Sequence, residues 1–100
     1  MLAIIRGAGD IATAIALRLW RCGISVVMTE IDQPLTVRRT VAFSEAVRLG
    51  QMQVEGVLAI RVRDVVQAKE ILERKNAIPV LIDPDCRCIE LNPDVVVDAI

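Results

Sequence analysis

The first thirty residues place the tightest limit on what this chain can fold into. Leu2-Ala3-Ile4-Ile5 is a short, unbroken apolar run that meets Gly7, the pattern of a parallel strand buried on both faces. Gly7-Ala8-Gly9 makes a turn. From Asp10 to Arg21 the apolar residues Ile11, Ile15, Leu19 and Cys22 recur at helical spacing, with Arg18 and Arg21 outside the stripe. Gly23 stops that helix, and Ile24 to Thr29 is a second, β-branched run ending at Glu30. A strand, turn, helix and strand in about thirty residues is the size of a βαβ unit. The chain is therefore expected to be α/β, with a Rossmann-like parallel sheet flanked by helices.

The turn also has a chemical reading. Gly7-x-Gly9-x-x-Ala12 fits the dinucleotide-binding pattern, in which the first glycine permits the tight turn. The second lets the backbone approach a pyrophosphate, and the small third residue lets helix and strand pack closely. Gly7, Ala8, Gly9, Asp10 and Ala12 are thus candidate cofactor-binding residues, with the amides at the helix start attracting an anion. Glu30 stands about twenty residues on, where the pattern places an acid for a ribose 2′-hydroxyl. It favours NAD over NADP, whereas Arg38 and Arg39 could serve the opposite preference, so NAD(P) or another nucleotide stays open. The plain alternative is a tight turn that binds nothing.

Acidic residues complicate the site. Asp10 suits the positive end of a helix but competes with a phosphate for it. Asp83 and Asp98 fall at the carboxyl ends of strands, where open α/β sheets bind ligands. With Asp10 and Glu30 they would put four carboxylates in one crevice, which would suit a metal-assisted or cationic ligand. Asp83-Pro84-Asp85 also reads as ordinary turn chemistry.

Further along, Ile31 to Arg39 reads as a loop, and Thr40 caps a short helix with Phe43, Ala46 and Val47 on one face. Met52 to Val54 and Val57 to Val62 are expected to pair as a β-hairpin around residues 51–62 across Glu55-Gly56. Asp64 with Gln67 has the form of a capping box, opening a helix with Val65, Ala68 and Leu72 as its stripe and Asn76 as its stop. Ile78 to Ile82 and Val95 to Val97 are strands. No helix follows the last strand to cover it, so residues 1–100 are expected to be one domain, the N-terminal portion of a longer protein.

Composition narrows the chemistry. The 100 residues contain no His and no Tyr, which excludes histidine-dependent nucleophiles, imidazole metal sites and tyrosine-dependent reductases from this stretch. Hydrophobic residues make up 54%, enough for a real core. The net charge of −1 leaves no basic stripe for nucleic acid. Ten of the twelve cations are arginine, suited to planar anions. Three cysteines without framework spacing fit a reduced, cytoplasmic protein, and the apolar start is too short for a membrane span. Cys86-x-Cys88 lacks a third ligand, so no metal site is expected.

These residues resemble a family. Ile5-Arg6-Gly7-Ala8-Gly9-Asp10-Ile11-Ala12-Thr13, Val27-Met28-Thr29-Glu30 and Gln33-Pro34-Leu35-Thr36-Val37-Arg38-Arg39-Thr40-Val41 are similar to the YqeB-type accessory proteins of the selenium-dependent molybdenum hydroxylase system. So are Ile78-Pro79-Val80-Leu81-Ile82-Asp83-Pro84 and Pro93-Asp94-Val95-Val96-Val97-Asp98-Ala99-Ile100. The resemblance implies a cytoplasmic role in maturing such hydroxylases, with the molybdenum cofactor as a ligand and a molybdenum hydroxylase as partner. It makes Arg38, Arg39 and Thr40 candidates for gripping a phosphate. Cys86 and Cys88 lie outside the family pattern, and no catalytic residue carries over. Two alternatives remain: an NAD-dependent oxidoreductase whose catalytic residues lie elsewhere, and a structural or oligomerisation domain, a homo-oligomer included.

Overall fold

The computed structural model describes residues 1–30, 50–82 and 91–99. The apolar run at the start forms β1 (Leu2–Arg6), and the glycine turn leads into α1 (Asp10–Arg21). β2 (Ser25–Glu30) follows. β3 (Gln51–Val54) and β4 (Val57–Val62) come next, then α2 (Val65–Arg74), β5 (Ile78–Ile82) and β6 (Val95–Asp98).

The strands form one six-stranded sheet in the order β3-β4-β5-β2-β1-β6. Every pairing is parallel except that of β3 with β4. β1 moves through α1 to β2 in one direction along the sheet, and β4 moves through α2 to β5 in the other. Right-handed crossovers of opposite direction must use opposite faces. Accordingly α1 packs its Ala12, Ala16 and Leu17 with Ile5, Val26, Met28, Ile78 and Val80 on one face. On the other face Ala68 of α2 packs with Ile4, Val27, Val62 and Leu81. Both faces of β1 and β2 are covered, which is why their sequences are apolar without alternation.

The antiparallel pair is the expected hairpin, and Glu55 and Gly56 form its two-residue turn with φ of 49° and 83°. Positive φ at both positions is the type I′ geometry that matches strand twist. Pro79 lies inside an interior strand, but the ladder to β2 starts one residue later, at Val80, so its missing N–H falls outside that ladder.

Three expectations about the helices are corrected. Ile11 does not belong to the buried stripe of α1, being 72% exposed, and Cys22, the C-cap residue, is exposed as well. The buried stripe is Ala12, Thr13, Ala16 and Leu17, with Ile15 and Leu19 packed partly buried beside it, and its small residues let α1 lie close on the sheet. Ala8, Ala12 and Ala16 are all fully buried. The second helix stops at Lys75, a residue before Asn76, with Lys75 in the left-handed conformation at φ 55°.

The start of α2 follows the capping-box logic with a shift of one residue. The Asp64 carboxylate accepts from the Gln67 amide at 2.9 Å, and the Gln67 side chain accepts from the amide of Arg63 at 2.6 Å. Replacing Asp64 with Ala leaves an amide of the first turn without its acceptor. Asp64→Ala is therefore expected to lower stability by about 1 kcal/mol, read as a lower denaturant midpoint at unchanged slope. An unchanged midpoint would contradict this role for the cap.

Among the described residues, no helix is long and apolar enough to cross a membrane.

Candidate functional site

The glycine turn lies at the carboxyl end of β1, between the strand and the helix that it feeds. β1 is flanked by β2 on one side and β6 on the other. The chain leaves β1 towards β2, and β6 is added later on the opposite side, so the β1–β6 boundary is where the strand order reverses. Ligands in open α/β sheets bind at the carboxyl ends beside such a reversal. The ladder is continued into the site by two backbone bonds: Gly7 N donates to Thr29 O at 2.7 Å, and Ala99 N donates to Arg6 O at 2.9 Å.

Within the turn the two glycines differ in kind. Gly7 has φ 110°, a conformation that an L side chain resists. Gly9 is the N-cap of α1 with φ −74° and ψ −166°, ordinary extended backbone. A Cβ built on Gly9 would meet no atom of the protein within 4 Å. Ala12, the third position of the pattern, is fully buried against the sheet.

The helix start is rich in donors. Thr13 N makes the first helical bond, to Gly9 O at 2.8 Å. The preceding amides of Asp10, Ile11 and Ala12 have no acceptor within the helix by the geometry of an α-helix, and the N-cap, being glycine, contributes no side-chain cap. These amides and the helix dipole together favour an anion.

Glu30, at the end of β2, reaches across to this turn. Its Oε2 accepts from Ala8 N at 2.9 Å, which satisfies a donor on a fully buried residue and ties the end of β2 to the turn. On the same segment, Thr13 Oγ1 donates to Ala8 O at 3.2 Å, and Thr13 is itself 2% exposed. Both backbone groups of Ala8 are therefore held by side chains, one from Glu30, the acid of the pattern, and one from Thr13, which lies outside it.

On the β6 side, Arg6 Nη1 and Asp98 Oδ2 form an ion pair at 3.1 Å. Arg6 and Asp98 are register partners in the sheet, so the pair spans the boundary itself. Neither Arg6 nor Thr13 stands out from the sequence as a site residue. Arg6 is the charged residue that closes the β1 apolar run, and its pairing with a residue 92 positions away is visible only once β6 is placed.

The crowd of carboxylates therefore takes another form. Glu30 is bonded to a backbone amide and Asp98 to a guanidinium. Asp10 is the first residue of α1. Asp83 lies outside the described residues, as do Arg38, Arg39, Thr40, Cys86, Cys88 and the helix expected after Thr40. Among the described residues, no group of His, Cys, Asp or Glu could hold a metal ion.

A protein of Escherichia coli strain K12, described as uncharacterized protein YqeB, is 49% identical to this chain over 100 residues. The chain is similar to YqeB along 99% of its own length. It spans about a fifth of the length of that relative, at 18%. The YqeB match thus embraces both the glycine turn and the strand that carries Glu30, although the name of YqeB assigns no activity. No family model matches the chain, and no solved structure matches it significantly.

Proposed function

We propose that this chain is a Rossmann-like binding domain that takes a phosphate-bearing nucleotide or cofactor at the start of α1. The observation that carries the reading is Gly9. Its backbone angles suit any residue, and a Cβ there would meet no atom of the described residues within 4 Å. Glycine is accepted at an N-cap, but Ser, Thr, Asp or Asn would serve the helix as well or better, whereas close approach of a pyrophosphate to the backbone calls for glycine itself. The amides of Asp10, Ile11 and Ala12 would bind its oxygens, and the dipole of the 12-residue helix would add to them.

Glu30 sets the preference among nucleotides. Its carboxylate is fixed beside the turn by Ala8 N. The same carboxylate stands where the dinucleotide pattern places an acid for a ribose hydroxyl. A 2′-phosphate at the same place would be repelled, so NAD is favoured over NADP. When bound, NAD would supply the capacity to accept a hydride. The residues of this chain bind it, orient it and select its sugar.

The same donors suit the phosphate of a molybdenum cofactor, with Arg38, Arg39 and Thr40 as further candidates. The resemblance to YqeB-type accessory proteins supports a role in maturing selenium-dependent molybdenum hydroxylases, with a hydroxylase as the partner.

Thermal unfolding with NAD, NADP, ADP and a molybdopterin species, on wild type and Gly9→Val, tests this reading. A ligand at about a hundred times its dissociation constant adds roughly 2.7 kcal/mol, a rise of about 10 °C or more for a domain of this size. NAD is expected to stabilise the wild type more than NADP does, and Gly9→Val is expected to abolish the effect. Absence of stabilisation by any of the four, or stabilisation that survives Gly9→Val, would overturn the proposal.

A further inference from the structure

At the opposite end of the sheet the structure holds a second concave feature. A cavity of about 350 Å³ opens beside the amino ends of β1 and β2, between the last turns of α1 and α2. Its apolar lining comes from Met1, Trp20, Ile24 and Leu72, and its polar lining from Ser25 and Lys75. That volume lies in the range of small-molecule sites, which pair a mainly apolar wall with a few polar groups.

The electrostatics of this end suit an anion, although two helices finish there. Helix carboxyl ends ordinarily present free carbonyls that repel negative charge. Here several of them are already engaged. Leu19 O accepts from Cys22 N and Ile24 N at 3.1 Å each, and Trp20 O accepts from Gly23 N at 3.0 Å. Leu72 O accepts from Lys75 N at 3.3 Å. Among the lining residues the charged side chain is Lys75, and it sits at φ 55°, a conformation uncommon for a residue with a long side chain. No side-chain hydrogen bond or ion pair engages Lys75 or the Ser25 hydroxyl among the described residues.

We propose that this cavity is a second binding site, distinct from the glycine turn, for a small aromatic monocarboxylate. The aromatic body would lie against the Trp20 indole between Ile24 and Leu72. The carboxylate would pair with the Lys75 ammonium and accept from the Ser25 hydroxyl. Lys75 and the Met1 α-ammonium favour an anion, and the apolar side chains of Trp20, Ile24 and Leu72 favour one that carries a ring.

Trp20 is the single tryptophan of the chain, so the 100-residue chain carries its own reporter. Phenylacetate is the probe, and phenylacetamide is its uncharged counterpart. Phenylacetate is expected to change Trp20 emission saturably, with phenylacetamide binding about three- to tenfold more weakly. Lys75→Asn should weaken phenylacetate by a similar factor. Asn tolerates the left-handed conformation, so an unchanged melting temperature would show that the fold is kept. Gly9→Val should leave phenylacetate binding intact, which separates this site from the nucleotide site. A linear, unsaturated response would overturn the proposal. So would equal binding of acid and amide, or a Lys75→Asn variant that binds phenylacetate as wild type does.

Discussion

Gly7→Ala is expected to destabilise the chain by about 1–3 kcal/mol, whereas Gly9→Val costs at most about 1 kcal/mol and removes the nucleotide site. The two glycines stand two positions apart, yet their physics is unrelated. Gly7 adopts φ 110°, and a side chain forced into such a region carries strain of that first size. The turn cannot relax to relieve it, because Gly7 N is bonded to Thr29 O at 2.7 Å and the next residue, Ala8, is fully buried and held through its amide by Glu30. In a domain of this size the loss appears as a fall in melting temperature of roughly 4–8 °C per kcal/mol. Gly9 has extended angles and open space around a would-be Cβ, so the second figure reflects only the poorer N-cap quality of valine. Paired melting curves and nucleotide titrations of the two variants check both halves. A Gly9→Val protein as unstable as Gly7→Ala would mean that Gly9 is structural and would remove the main support for a ligand there.

Ile5→Ala is expected to cost about 2–5 kcal/mol, the range for truncating a large aliphatic side chain in a closed core. Ile5 is fully buried in the cluster under α1, and β1, flanked by strands on both sides, has no freedom to close the gap. Ile4→Ala should cost a similar amount through the cluster on the other face, under α2. Val96→Ala on the edge strand β6, where Val96 is 40% exposed, should cost under about 1 kcal/mol. Urea unfolding of the three variants measures these costs. A small effect at Ile4 beside a large one at Ile5 would contradict a sheet covered on both faces.

Much of this architecture was legible in the sequence. The βαβ unit, the hairpin at Glu55-Gly56, the strand at Ile78 and the last strand at Val95 follow from apolar runs and turn residues, and these are local signals. The amphipathic face of α1 was less legible. Of the expected stripe, Ile15 and Leu19 pack partly buried against the core, whereas Ile11 and Cys22 face solvent and the fully covered surface is Ala12, Thr13, Ala16 and Leu17. Hydrophobicity ranks isoleucine above alanine, but close packing of a helix on a sheet is limited by side-chain size, and that limit decides the face. The site shows the same division. Gly7, Gly9, Ala12 and Glu30 stand out by spacing, whereas the bonds that organise them, from Glu30 to Ala8 and from Thr13 to Ala8, join residues by geometry. The Arg6–Asp98 pair needs the order of the sheet, which places β6 beside β1 although their sequence positions lie at opposite ends of the chain.

The central claim, that the start of α1 receives a phosphate-bearing ligand, is tested most directly by following backbone amide resonances while NAD is added to the chain. The account predicts saturable shifts centred on Gly9, Asp10, Ile11 and Ala12, with Ala8 responding through its bond to Glu30. Shifts absent from those five amides at millimolar NAD, or confined to other parts of the sheet, would contradict it.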